Sequence, residues 1–393
     1  MPGRTCVAAA AAALLVSSSP PLSAQEGWTL RHLATVPEPF GLVQSVRELP
    51  GGRVIVADPL GLVLVSLDPR TGDVRPLGRE GGGPAEWRQP DAVYALPGDS
   101  TLLVDLGNAR LTVIDPGGRL VRSAPLMLPP TAGAAGPPMP EPLLPRGTDR
   151  GGALYIQTRG RPTGQGGLPD SMHVKRWTWG APHAATVARL RSPAMTTSTS
   201  GGANNQSFRV RPVPYSPQDD WAVAADGRIA VVRAEPYRVE WIQPDGRVVT
   251  GPETSWEPVR VREAEKRRWL DQLGASGLTM SVTSDNGSTT MALQRGGRRA
   301  AAASAEDYEW PERLPAFRAG GAVVMPDGRL LVEREVAEGD PTRYDVFDAR
   351  GTRAGALYLP TGQRIVGFGR ESVYAVRVDQ DGLNWLEVYA LPG

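Results

Sequence analysis

The chain has 393 residues, including 46 glycines and 38 prolines, and its 43 Lys+Arg nearly balance its 42 Asp+Glu. That balance leaves no electrostatic footprint for nucleic acid or an anionic membrane. One cysteine and three histidines exclude a disulfide-stapled mini-fold and argue against a zinc site of Cys and His ligands.

Residues 1–24 have the layout of a secretory signal peptide. Arg4 gives a positive start, residues 7–16 are apolar, and a small-residue stretch ends Leu22-Ser23-Ala24. The apolar run is about ten residues, too short to cross a bilayer. Cleavage is expected after Ala24, which removes Cys6, the lone cysteine. The expected product is secreted or periplasmic, monomeric and not inserted in a membrane.

Residues 25–393 repeat one phrase, clearest at Ala225-Asp226-Gly227-Arg228-Ile229-Ala230-Val231-Val232 and again around Asp245-Gly246. Asp-Gly supplies the positive φ of a tight hairpin, and the flanking β-branched residues suit a pleated strand. Second strands of the repeat fall at residues 54–58, 102–105, 153–157, 229–233, 330–332 and 372–378. The fold class expected is all-β, a six-bladed β-propeller, with seven blades as the alternative count. The last blade is one strand short. Residues 29–36 alternate in β fashion and are expected to pair there as its outer strand, closing the ring.

Within the second repeat, Leu103-Val104-Asp105-Leu106-Gly107-Asn108-Ala109-Arg110-Leu111 resembles the NHL repeat, whose core reads hydrophobic-Val-x-Asp-x-x-Asn-x-Arg-hydrophobic. Just upstream, Gly81-Gly82-Gly83-Pro84-Ala85-Glu86 looks like the Gly-x-Gly-Pro-Gly-Glu stretch of exported bacterial six-bladed propellers, with Ala85 in place of the last glycine. The match covers residues 77–115. Blades one, four, five and six follow its pattern, and blade three departs from it. The resemblance implies a binding platform and, in some members, an enzyme.

Loop lengths are asymmetric. Turns from first to second and third to fourth strands are short throughout, as at residues 50–52, 97–99, 226–227 and 327–328. The opposite face receives every long segment: residues 78–90, 125–142, 160–171, 191–220, 251–320 and 336–342. Long loops on a rigid scaffold are where binding resides, so function is expected on that decorated face. Its largest segment, 251–320, reads as an insertion between blades four and five. Residues 261–273 predict a helix with a Glu263–Arg267 pair, and residues 274–305 predict disorder or a mobile lid. Residues 133–145 and 193–205 read as further flexible surface segments.

No Gly-x-Ser-x-Gly elbow, P-loop or His-Glu-x-x-His is present. Two groups stand out on the decorated face. Arg79, Glu80, Glu86, Trp87 and Arg88, with Trp221 and Trp310, are residue types that anchor a small ligand or partner protein. Asp58, Asp105, Asn108, Asp219 and Asp220 are oxygen donors that suit Ca²⁺, the arrangement of Ca²⁺-dependent lactonases with six-bladed propellers. Against the metal, Asp105 and Asn108 also suit a side-chain-to-backbone turn role. The function expected is non-catalytic binding without a cofactor; the alternative is a Ca²⁺-dependent lactonase or hydrolase.

Overall fold

Strands that are apolar on both faces need cover on both sides, and here they obtain it from neighbouring blades. The computed structural model describes residues 27–129, 140–159, 171–200, 207–275, 278–285, 288–296 and 304–392. The proposed leader, residues 1–24, lies outside them.

Six antiparallel sheets follow one another around a ring. Blade one, from its innermost strand outward, is Val46–Glu48, Val54–Asp58, Val63–Leu67 and Val74–Pro76. Blade two is Pro90–Ala95, Thr101–Asp105, Arg110–Ile114 and Leu120–Pro125; blade three is Pro145–Thr148, Leu154–Arg159, Ser171–Trp177 and Ala185–Arg191. Blade four is Asp220–Val223, Ile229–Arg233, Arg238–Ile242 and Val248–Thr250; blade five is Phe317–Val324, Leu330–Arg334, Thr342–Phe347 and Arg353–Leu359. Blade six is Gln363–Phe368, Ser372–Val378 and Asn384–Ala390, completed by His32–Thr35 from the other end of the chain. The count is six, not seven.

The core consists of six apolar wedges, one between each pair of neighbouring blades. The period of two is visible within single strands. Val54 and Val56 face blade six, whereas Ile55 and Ala57 face blade two. The Asp-Gly turns lie on the plain face with positive φ at Gly227 (86°) and Gly328 (90°). In both turns the aspartate accepts from the N–H and the guanidinium of the arginine two residues on, Arg228 and Arg329.

Ring closure is finer than expected. Only His32–Thr35 joins blade six; Gly27–Thr29 instead runs parallel to Arg353–Leu359 as a fifth strand of blade five. Leu30, buried between them in the blade five–six wedge, makes the division. The chain thus staples two blades with one short segment.

The insertion also differs from expectation. The helix forms as α1 (Glu263–Ala275), but Glu263 pairs with Lys266 at 2.7 Å rather than with Arg267. Residues expected to be disordered form a two-stranded hairpin, Leu278–Asp285 with Ser288–Arg295. Its Ser and Thr content hid a continuous backbone ladder. Met195–Ser200 and Ser207–Pro212 likewise form a hairpin where a flexible segment was expected, and Met127–Leu128 pairs with Glu141–Pro142. Most of the 160–171 loop lies outside the described residues.

Candidate functional site

The first residues of the innermost strands gather charge on the decorated face. Arg146 of blade three pairs with Asp220 of blade four at 2.5 Å, and Asp220 also accepts from Ala322 N–H at 2.9 Å. Asp91 of blade two is engaged by Arg295, from the end of the insertion hairpin. Gln89 holds the same hairpin by its backbone, accepting from Arg295 N–H at 3.0 Å and donating to Arg295 O at 2.6 Å. Leu293 is buried in the wedge between blades two and three. The insertion therefore caps the mouth on the side of those blades.

On the opposite side α1 stands over blade five and leaves a recess of about 560 Å³, lined by Arg268, Arg318, Glu333, Arg334, Glu335 and Thr342 among others. A second recess of about 310 Å³ lies along α1 with Tyr215, Trp269 and Phe317. Gln272, Arg318 and Glu335 line both. α1 is fixed there by Glu265, which accepts from Arg262 N–H and from Glu338 N–H, both at 2.9 Å. Trp269 stacks edge-on with Tyr308 and Trp310, which locks the return of the insertion onto the helix.

The recess is electrostatically tense. Arg318 pairs with Glu333 at 3.1 Å, and Tyr344 Oη donates to the other oxygen of Glu333 at 3.1 Å. Arg268 pairs with Glu335 at 2.8 Å. Burial opposes the Arg318 charge, yet the facing Glu333 and Glu335 raise its pKa above the ordinary arginine value. Glu335 behaves differently: burial pushes its carboxyl above the usual glutamate range despite the pull of Arg268 and Arg318. A raised carboxyl beside fixed guanidinium groups can hold a proton that an exposed glutamate would release.

The residues singled out from sequence do not meet at one point. Trp221 is fully buried in the blade three–four wedge, with Nε1 donating to Gln157 Oε1 at 2.6 Å. Trp87 is buried too, its Nε1 donating to Leu77 O at 2.8 Å. Both pack the scaffold and offer no ligand surface. Glu86 pairs with Arg79 and accepts from Gly83 N–H at 2.6 Å; a Cβ at Gly81 would fall 2.2 Å from its carboxylate. The triple glycine thus lets Glu86 fold its own loop. Glu80 and Arg88 are exposed on that crossing, and Trp310 belongs to the α1 cluster. None of these seven lines the recess beside α1.

The acidic set does not fit a metal either. Asp58 accepts from the N–H groups of Gly41, Leu42, Leu60 and Gly61 at 2.6–3.0 Å. Asp105 accepts from Arg88 N–H, Gln89 N–H and the Asn108 amide. Asp219 accepts from Arg191 N–H, Ala234 N–H and Arg233. In blades one and two an aspartate ending the second strand pins the entry to the first; in blade four Asp219 makes the same link from the other side. Among the described residues no three His, Cys, Asp or Glu side chains gather where a metal ion could sit. The residues missed from sequence, Arg318, Glu333 and Glu335, did leave a signal. The apolar strand Leu330-Leu331-Val332 runs straight into Glu333-Arg334-Glu335 at its decorated-face end.

No family model and no curated protein sequence matches the chain. Among solved structures it is similar to regucalcin, a calcium-binding protein from Agrobacterium tumefaciens, at 14% identity over 92% of this chain and 97% of that one, with a TM-score of 0.38. It is similar to a gluconolactonase from Xanthomonas campestris at 12% identity over 92% and 95%, with a TM-score of 0.40. It is also similar to the PQQ-bound aldose sugar dehydrogenase of Streptomyces coelicolor at 13% identity over 92% and 98%, with a TM-score of 0.41. No helix among the described residues is long and apolar enough to cross a membrane.

Proposed function

We propose that this chain is an exported, monomeric, NHL-like propeller that binds a small polar ligand in the recess between α1 and blade five. One observation carries the reading: Arg318 and Glu335 line two adjoining recesses of ligand size, with Arg318 held in place by a 3.1 Å ion pair to Glu333. The insertion hairpin covers the mouth over blades two and three, so the binding surface lies beside α1 and not at the ring's centre. Export rests on residues 1–24, and N-terminal sequencing of protein recovered from the periplasm or medium should begin at Gln25. A start at Met1 would overturn that part.

A second reading, hydrolysis of a ligand in the same recess, is favoured by Glu335, a carboxyl that lines both recesses and whose pKa burial raises above the ordinary glutamate value. The two readings separate in one calorimetric and kinetic screen of sugars, sugar lactones and amino acids. Arg318→Met should weaken binding by about tenfold or more, the worth of a charge-assisted contact. Glu335→Gln should keep binding under the first reading and abolish turnover under the second. Binding that is unchanged in Arg318→Met rules out the recess.

A further inference from the structure

The seam between blades six and one opens on the plain face as a cleft of about 1260 Å³, distant from the recess described above. One wall is apolar, with Leu33, Phe368 and Leu391. Four arginines, Arg31, Arg47, Arg70 and Arg370, approach it from both blades. Their cationic capacity is poorly used within the protein. Arg47 gives one guanidinium nitrogen to Glu48 O and has Asp99 only at 3.9 Å, while its Nε is buried with no acceptor. Burial holds its pKa below the ordinary arginine value, the pull of Asp99 and Glu48 notwithstanding. Arg70 pairs with Asp68 alone among the described residues, at 3.4 Å, and is three-quarters exposed. The side chains of Arg31 and Arg370 form no ion pair among the described residues.

The nearest carboxylate makes no ion pair with them, although its charge pulls the Arg47 pKa upward against burial. Glu48 accepts from Arg370 N–H at 3.0 Å and from Tyr374 Oη at 2.5 Å. Gly369 lets it lie flat on the backbone, since a Cβ there would fall 1.7 Å from its Oε2. The carboxylate is thereby committed to neutral donors. Asp99 is mostly exposed, and Glu371 lies at the rim. What remains is an apolar wall faced by guanidinium groups whose donors are only partly used, a combination complementary to an anion with a hydrophobic body.

We infer that this cleft binds an organic anion carrying at least two carboxylate or phosphate charges on an apolar body. Arginines from the two blades would take the charges and the blade-six wall the body. The site is independent of the recess beside α1.

Isothermal titration of the mature chain with dodecanedioate tests this, with dodecanoate and inorganic pyrophosphate as comparisons. Dodecanedioate is expected to bind most tightly, and the double variant Arg31→Gln/Arg370→Gln to weaken it by at least about tenfold. Arg47→Lys, which keeps the charge but removes Nε, should weaken it as well, covering the case in which the double variant fails to fold. Arg247→Gln, on an exposed turn of blade four, and Arg318→Met should leave it unchanged. Absence of saturable dodecanedioate binding overturns the inference. So does equal binding of pyrophosphate or dodecanoate, indifference to the arginine variants, or loss in Arg318→Met.

Discussion

Asp345→Ala is expected to lower unfolding stability by about 3–5 kcal/mol, the cost of stranding a buried cation. Asp345 is wholly buried on the third strand of blade five. It accepts from Arg334 at 3.0 Å, from Arg343 at 3.1 Å and from Tyr237 Oη of blade four at 3.1 Å, with Arg353 at 3.8 Å. Arg334 is itself buried, stacked between Tyr237 and Trp256, and its other bond goes to Ala316 O. Without the carboxylate, its charge keeps only the neutral Ala316 carbonyl and the two aromatic faces and loses its anionic partner. Burial and the Asp345 charge hold the Tyr237 hydroxyl well above its ordinary pKa, so it stays a donor at any working pH.

Two milder variants divide that effect. Tyr237→Phe removes one donor from a carboxylate that keeps its arginines and should cost about 1 kcal/mol. Asp345→Asn keeps an acceptor but not the charge and should fall between the two. Urea midpoints with unchanged slopes provide the measurement. A loss below about 1 kcal/mol for Asp345→Ala would show that the arginines relax to solvent and that the wedge is held by apolar packing alone.

How far the molecule could be foreseen depends on whether a feature is local. The blades are local: Val54-Ile55-Val56-Ala57 and Ile229-Ala230-Val231-Val232 announce strands covered on both faces, and Asp-Gly announces the turns between them. Even the ring-closing strand was legible, because a blade with three strands needs a fourth. The Asp105 turn followed from the same local chemistry, and Asp58 and Asp219 extend it. The recess beside α1 was not legible, because its members are joined by the ring and not by the chain. Arg268 meets Glu335, and Arg295 meets Asp91 across 204 positions. The hairpin carrying Arg295 looked unstructured because its short apolar alternation, Leu278-Thr279-Met280-Ser281-Val282, is set among Gly, Ser and Thr, and Leu293, its anchor in the core among the described side chains, has no local partner. Trp221 misled for the converse reason. A tryptophan at a crossing suggests an exposed platform, but a first-strand side chain turned toward the preceding blade is core.

Closure of the ring places an acid-sensitive contact at its seam. Glu387, buried on the last strand, accepts from Thr35 Oγ1 at 2.5 Å, from His32 Nε2 at 2.9 Å and from Arg377 at 3.0 Å. Two of these three donors belong to the short strand that closes the propeller. Burial alone would raise the Glu387 pKa, but the bonds from Thr35, His32 and Arg377 outweigh it and hold the carboxyl below the ordinary glutamate range. A depressed carboxylate stabilises the fold fully above its unfolded pKa, near about 4.3, and that contribution drains as pH falls through the folded value. Glu387→Gln should therefore cost about 1–2 kcal/mol at neutral pH, discounted because His32 is half-exposed, and the gap to wild type should narrow at about pH 3.5. A gap of the same size at both pH values would remove Glu387 from the closure. Deleting residues 25–36 should act more strongly, since it exposes the Asn384–Ala390 edge and removes Leu30 and Val36 from the two adjoining wedges. Light scattering should then show self-association through the open edge, and a monodisperse, fully stable truncation would mean that blade six holds as three strands.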